Sequence, residues 1–292
     1  MHHQGWPRGR VPWGLVLGAA HVLLVACGDG GAAPAPDGGV DAGPGADASV
    51  EASATRVLLE LGAAPRQLLS ATAGPVRDFV LEATSSERTS VDGDERVERA
   101  ELEGTVTMTA TGSVPLVVGL RTTPERLTST LLDGAPVETA STIQRFDAQG
   151  ALLSENRSTR GRSVAVLDVS TLSVFTLPEA VLAVPTEPVG VGARWIVELT
   201  TEDAVLEIEH RVVAMDDATL RVERTTRLVE GRGVLTAAEG SATLEFDVDT
   251  LLLRDARVES RIAFATTLPI EGRSATLTGS TESLRVLQEA GR

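Results

Sequence analysis

Cys27 is the single thiol among 292 residues, so it has no intrachain partner for a disulfide. Beyond it stands one histidine, His210. One imidazole without a second thiol cannot build the ordinary zinc sites, so no metal is expected. A Ser-His-Asp triad would need His210 as its base, yet no Gly-x-Ser-x-Gly elbow occurs. A Ser-Lys dyad is excluded because the chain has no lysine. Carboxylates two residues apart occur at Asp92/Asp94, Glu207/Glu209 and Asp247/Asp249. On strands such pairs share one face and are ordinarily solvated surface rather than an acid–base pair. Gly190-Val191-Gly192 lacks the third glycine and the following helix of a phosphate loop. The side chains thus point to no catalytic residue and no cofactor. The chemistry that remains is modification of the Cys27 thiol itself.

The residues before Cys27 explain that chemistry. Arg8 and Arg10 supply positive charge, an apolar stretch runs from Val11 to Ala26, and Leu24-Val25-Ala26 leads into the cysteine. Charged, then apolar, then small is the order of an export signal, and the stretch is short for a spanning helix. The run Leu24-Val25-Ala26-Cys27-Gly28 resembles the lipobox of bacterial lipoproteins. That resemblance implies cleavage after Ala26 and a diacylglycerol thioether on Cys27. Each buried methylene contributes about 0.8 kcal/mol, so two or three acyl chains hold a protein durably to a membrane. Gly28, rather than an aspartate, follows the cysteine, which in Gram-negative lipoproteins leans toward the outer membrane. The membrane is therefore the expected partner, reached through the lipid anchor.

Residues 27–55 are read as the lipidated cysteine and a spacer of Gly, Ala, Pro, Asp and Ser. They hold too little apolar surface to offset the entropy of ordering. Asp37 and Asp41 lack the ligand count of a calcium loop. From Cys27 onward, two fewer arginines than the chain's 26 face all 41 acids, so the net charge moves from −15 to −17. A field of that sign disfavours nucleic acid and anionic head groups.

Strand periodicity dominates the remainder. Ala100, Leu102, Gly104, Val106, Met108 and Ala110 alternate with Glu101, Glu103, Thr105, Thr107 and Thr109. The same alternation marks Ala256 to Phe264 and Leu206 to Val212, where His210 falls on the apolar side as a core residue. Turns are expected at Asp92-Gly93, Asp133-Gly134, Gln149-Gly150, Asp216-Asp217 and Gly231-Arg232-Gly233. Pro178 to Val184 has room for a helical turn or two at most. The pattern predicts an all-β fold of long antiparallel strands, forming a curled sheet, a half-barrel or a sandwich. A transmembrane barrel is not expected, since its aromatic girdles need Tyr and Trp. The chain has no Tyr, and one Trp (Trp195) lies beyond Cys27.

Arg145-Phe146-Asp147 through Leu152-Leu153 aligns with Glu245-Phe246-Asp247 through Leu252-Leu253, one hundred residues on. This suggests two similar halves, 56–177 and 178–292, after the signal peptide 1–26 and the spacer. The second half opens Pro188-Val189-Gly190-Val191-Gly192-Ala193-Arg194-Trp195. This run resembles a segment of a family of β-rich bacterial lipoproteins, in which Pro-Val-x-Val-Gly-Asp-x-Trp opens a strand. Here Ala193 takes the place of the aspartate. The resemblance implies an envelope lipoprotein and no particular activity. Two functions fit: a curved sheet that binds an apolar ligand or lipid, or a structural module that engages an envelope protein. An open apolar interior or a filled one discriminates between them.

Overall fold

The computed structural model describes residues 47–130, 140–159, 180–200, 204–231, 235–270 and 273–291. The signal residues, Cys27, the spacer up to residue 46, Asp133-Gly134 and residues 232–233 of the Gly231 turn lie outside them. The described chain is all-β and antiparallel. Its strands are β1 (Asp47–Glu51), β2 (Ser53–Glu60), β3 (Gly74–Val91), β4 (Asp94–Thr111), β5 (Leu116–Ser129), β6 (Ala140–Phe146) and β7 (Leu152–Thr159). They continue with β8 (Arg194–Thr200), β9 (Ala204–Met215), β10 (Thr219–Gly231), β11 (Leu235–Asp247), β12 (Leu253–Ile270) and β13 (Arg273–Glu289).

All thirteen lie in one sheet, in the order β1-β7-β6-β5-β4-β3-β13-β12-β11-β10-β9-β8-β2. The strands from β3 to β7 form one meander and those from β8 to β13 another, joined where β13 pairs with β3. The sheet's two edges, β1 and β2, are consecutive lengths of one run. The sheet therefore curls back on itself into a nearly closed barrel with one unsealed seam. Of the architectures the alternation allows, this is the curled sheet rather than the sandwich.

Alternation decides which face is buried. Phe79, Leu81 and Ala83 on β3, Leu102, Val106 and Met108 on β4, and Leu220 and Val222 on β10 are all buried. With Leu116, Val118, Phe146, Leu182, Trp195, Leu244 and Phe246 they form one core. The outer face carries cross-strand ion pairs instead: Arg126–Glu103, Arg227–Glu207, Arg261–Glu282 and Arg221–Glu245. A lipid-facing barrel needs an apolar outer band, and this face is the opposite. Each exposed pair contributes little to stability, but together they keep the wall wet.

One end of the barrel is closed by non-strand chain. Segment 61–73 is bonded to 189–191 (Ala63 N to Val191 O, 2.8 Å; Gln67 N to Val189 O, 2.9 Å) and to the two hairpin turns (Ala71 N to Ala148 O, 3.1 Å; Thr72 N to Thr250 O, 3.2 Å). Ala180 to Val184 is extended and buried throughout, not helical. Leu182 N donates to Leu251 O and Val184 N to Gln149 O. A helical turn would bury one side only, whereas an extended plug satisfies its amides on two turns at once. Gly150 is required here: at φ 77° a Cβ would lie 2.1 Å from Leu182 O.

The spacer ends earlier than composition suggests. Residues 47–51 and 53–55, poor in large apolar side chains, are strand, because β7 and β8 offer them pre-formed edges. Ala52 and Ala54 pack against the core.

Two substitutions test this packing by urea unfolding. Phe246→Ala is expected to lose about 3–5 kcal/mol. Gly150→Ala is expected to lose on the order of 1–3 kcal/mol through backbone strain. A loss within the scatter of surface substitutions at Gly150 would contradict the docking of Leu182 on the turn.

Candidate functional site

The residues with chemical potential are dispersed. His210 is fully buried on β9, directly opposite Trp195 on β8. The two rings stack with centroids 5.2 Å apart and planes 11° from parallel. The indole Nε1 donates to Ala183 O at 2.8 Å, which ties the strand to the plug. This is core packing, with no path for a substrate to the imidazole.

The three carboxylate pairs are each engaged separately. Asp92, at φ 50° in the β3–β4 turn, accepts from Thr276 N. Glu207 binds Arg227, and Glu209 accepts from Arg194 Nη2 at 2.6 Å. Asp247 and Asp249 share a turn, and Arg77 anchors Asp247 there. Among the described residues, no three His, Cys, Asp or Glu side chains converge as metal ligands. Cys27, Leu24, Val25 and Ala26 lie outside those residues.

The best-built polar cluster belongs to the repeated hairpin. Asp147 and Asp247 each follow a core phenylalanine at the closed end, and each caps its own turn. Asp147 Oδ1 accepts from Gln149 N (3.0 Å) and Ala151 N (2.8 Å). Asp247 Oδ1 accepts from Asp249 N, Thr250 N and the Thr250 hydroxyl, each at 3.1 Å. Each then holds an arginine from an earlier strand: Arg56 to Asp147 at 2.5 Å, and Arg77 to Asp247 at 3.1 Å. Arg77 is buried and also donates to Leu253 O. The Phe-Asp coincidence visible in the sequence is thus one device used twice. Its arginine partners, 91 and 170 residues away, carried no sequence signal.

Burial pushes the Asp247 carboxyl up, but bonds from Thr250 and the Arg77 guanidinium outweigh it and hold it below the usual carboxylate range. Asp216, in the β9–β10 turn, is lowered likewise by the amides of Ala218 and Thr219 and by the Thr219 hydroxyl.

Gly190 and Gly192 explain the sequence run before Trp195. A Cβ on Gly190 would meet Ala63 O at 2.0 Å, and Gly192 turns the chain into β8 at φ 87°. Ala193, in the aspartate's place, is fully buried.

Among the described residues, two of the surface cavities lie near these features. One, of about 430 Å³, lies at the closed end between Gln67–Ser70, Asp217 and Val248-Asp249. The other is a trough of about 670 Å³ across β11, β12, β13, β3 and β4. Its walls include Glu239, Arg261 and Glu282 on one side and Glu259, Leu284 and Glu101 on the other. All have outward strand parity, so the trough lies on the outer face. Between the walls runs a register row of small inward residues, Gly240, Ser260, Ser283, Ser85 and Ala100. The hydroxyls of Ser260 and Ser283 bond to each other at 2.7 Å.

Compared with known protein families and with curated protein sequences, the chain matches none.

Because Asp247 is depressed when folded, its contribution is present above the ordinary carboxylate range and is lost as pH falls through that range to the lower folded value. Asp247→Asn should be less stable than the parent at neutral pH, by up to about 3 kcal/mol, because Arg77 loses the nearer of two carboxylate partners, Glu289 lying at 3.9 Å. The urea midpoints of the two proteins should converge below about pH 4. Parallel curves down to low pH would rule out the ion pair as the source.

Proposed function

We propose that the chain is a lipid-anchored, non-catalytic protein of the cell envelope, held at Cys27 and presenting an acidic β body to the surrounding space. The observation that carries this reading is the apolar run closing on Leu24-Val25-Ala26-Cys27. The dispersal of His210 and the carboxylate pairs supports a role other than catalysis.

Of the two non-catalytic roles, the packed interior supports a structural or interaction module acting through the outer surface. Leu102, Met108, Leu116, Leu182, Leu220, Leu244 and Phe246 are almost wholly excluded from solvent. Their packing leaves less of the concave face to a lipid or other apolar ligand, which favours the second role. The outer-membrane assignment rests on Gly28 following the cysteine.

Anchoring is tested in cells by membrane fractionation. Globomycin should block removal of residues 1–26, and Cys27→Ser should abolish acyl labelling. Unchanged processing and fractionation in both cases would remove the basis of the proposal. Native mass spectrometry of the purified protein decides between the two roles: a stoichiometric apolar adduct would favour ligand binding.

A further inference from the structure

Both segments that close the end of the barrel rest on the β11–β12 turn, and one carboxylate organises that turn. Asp247 Oδ1 holds the amides of Asp249 and Thr250 and the Thr250 hydroxyl, while Oδ2 accepts from Arg77. Segment 61–73 reaches the turn through Thr72, whose N–H donates to Thr250 O and whose hydroxyl donates to Asp249 O. The plug reaches it through Leu182 N, which donates to Leu251 O at 3.1 Å, and through a bridge between Val181 and Leu252.

Leu251 is the strained member of the turn. Its φ of 57° is unfavourable for any residue with a Cβ, and its own N–H is held on Asp247 O at 2.8 Å. The other hairpin places a glycine, Gly150, in the left-handed region where it meets the plug. A strained residue keeps its conformation only while its surroundings over-determine it. At Leu251 those surroundings include a group that titrates. The charges facing that group come from four elements. Arg77 of β3 lies at 3.1 Å, and Glu289 of β13 lies 3.9 Å from the same guanidinium. Arg254 of β12 holds Glu289 at 3.2 Å and also attracts Asp216 in the β9–β10 turn. Asp249 and Asp217 line the adjoining cavity.

We propose that the β11–β12 turn is an acid-released latch on the plug. When Asp247 takes up a proton, the turn loosens and Leu251 relaxes out of the left-handed region. Leu182 then loses its acceptor while the strands stay paired. Because the folded carboxyl is held below its usual range, the latch is shut at neutral pH and opens as pH falls through the ordinary carboxylate range to that lower value. This inference rests on the contacts of Asp247 and not on the lipid anchor.

Hydrogen exchange on the full chain tests it, read as protection factors so that the intrinsic pH dependence of exchange cancels. At neutral pH, Asp247→Asn should lower the protection of the Leu182 and Leu251 amides roughly tenfold or more, leaving β4 and β13 unchanged. Thr250→Val removes one bond to the carboxylate, so Leu182 should be released at a higher pH than in the parent. This second variant carries the test if Asp247→Asn does not fold. Unchanged protection of Leu182 in Asp247→Asn, or an equal loss across the strands, would overturn the latch. So would the same release pH in Thr250→Val as in the parent.

Discussion

Closure of this barrel depends on a property that any extended chain has: its amides point alternately left and right. Residues 47–60 use that alternation to serve two edges in succession, bonding β7 first and β8 afterwards. Without the run, β7 and β8 would be open edges of a long sheet, and the concave face would lose the wall that Ala52, Ala54 and Leu58 complete. The eleven remaining strands form two meanders that meet where β13 pairs with β3, and the run of β1 and β2 spans the other boundary between them, from β7 to β8.

The closed end solves a second problem, the orphaned main chain of turns packed against one another. Asp147 and Asp247 satisfy the amides of their own turns and fix the arginines that cross from β2 and β3. Segments 61–73 and 180–193 then bond to the turns and to each other, so the plug is assembled from parts of the chain far apart in sequence. The cost is visible in one residue: Leu251 adopts φ 57° while fully buried, where a glycine would be unstrained.

The fold class was legible because the signal is local. Ala100 to Ala110 and Ala256 to Phe264 alternate cleanly and lie within the long strands β4 and β12. Phe146-Asp147 and Phe246-Asp247 also announced two alike hairpins. The plug was not legible, since Ala180 to Val184 is uniformly apolar and has no period to distinguish a helical turn from an extended buried segment. The limit of the spacer was misread for a related reason. Asp47 to Thr55 has spacer composition, and its strand conformation is imposed by edges that belong to β7 and β8. The arginines that meet the two aspartates were invisible because only the curl of the sheet brings them together. The candidate site shows the same division. The lipobox resemblance at Cys27 is a matter of neighbours along the chain, whereas the residues that line the trough come from five strands and meet only through sheet register.

The direction of β1 has a mechanical consequence. Asp47 lies at the end of the barrel opposite the plug, and the thirteen steps from it to Glu60 cover about 43 Å along the wall at about 3.3 Å each. Tension arriving through the preceding segment, parallel to the wall, loads the bonds to β7 and β8 in shear, so that they yield together rather than one by one. The same force applied sideways concentrates on Asp47 and peels. The molecule is thus stiff toward a load along its axis and compliant toward one across it.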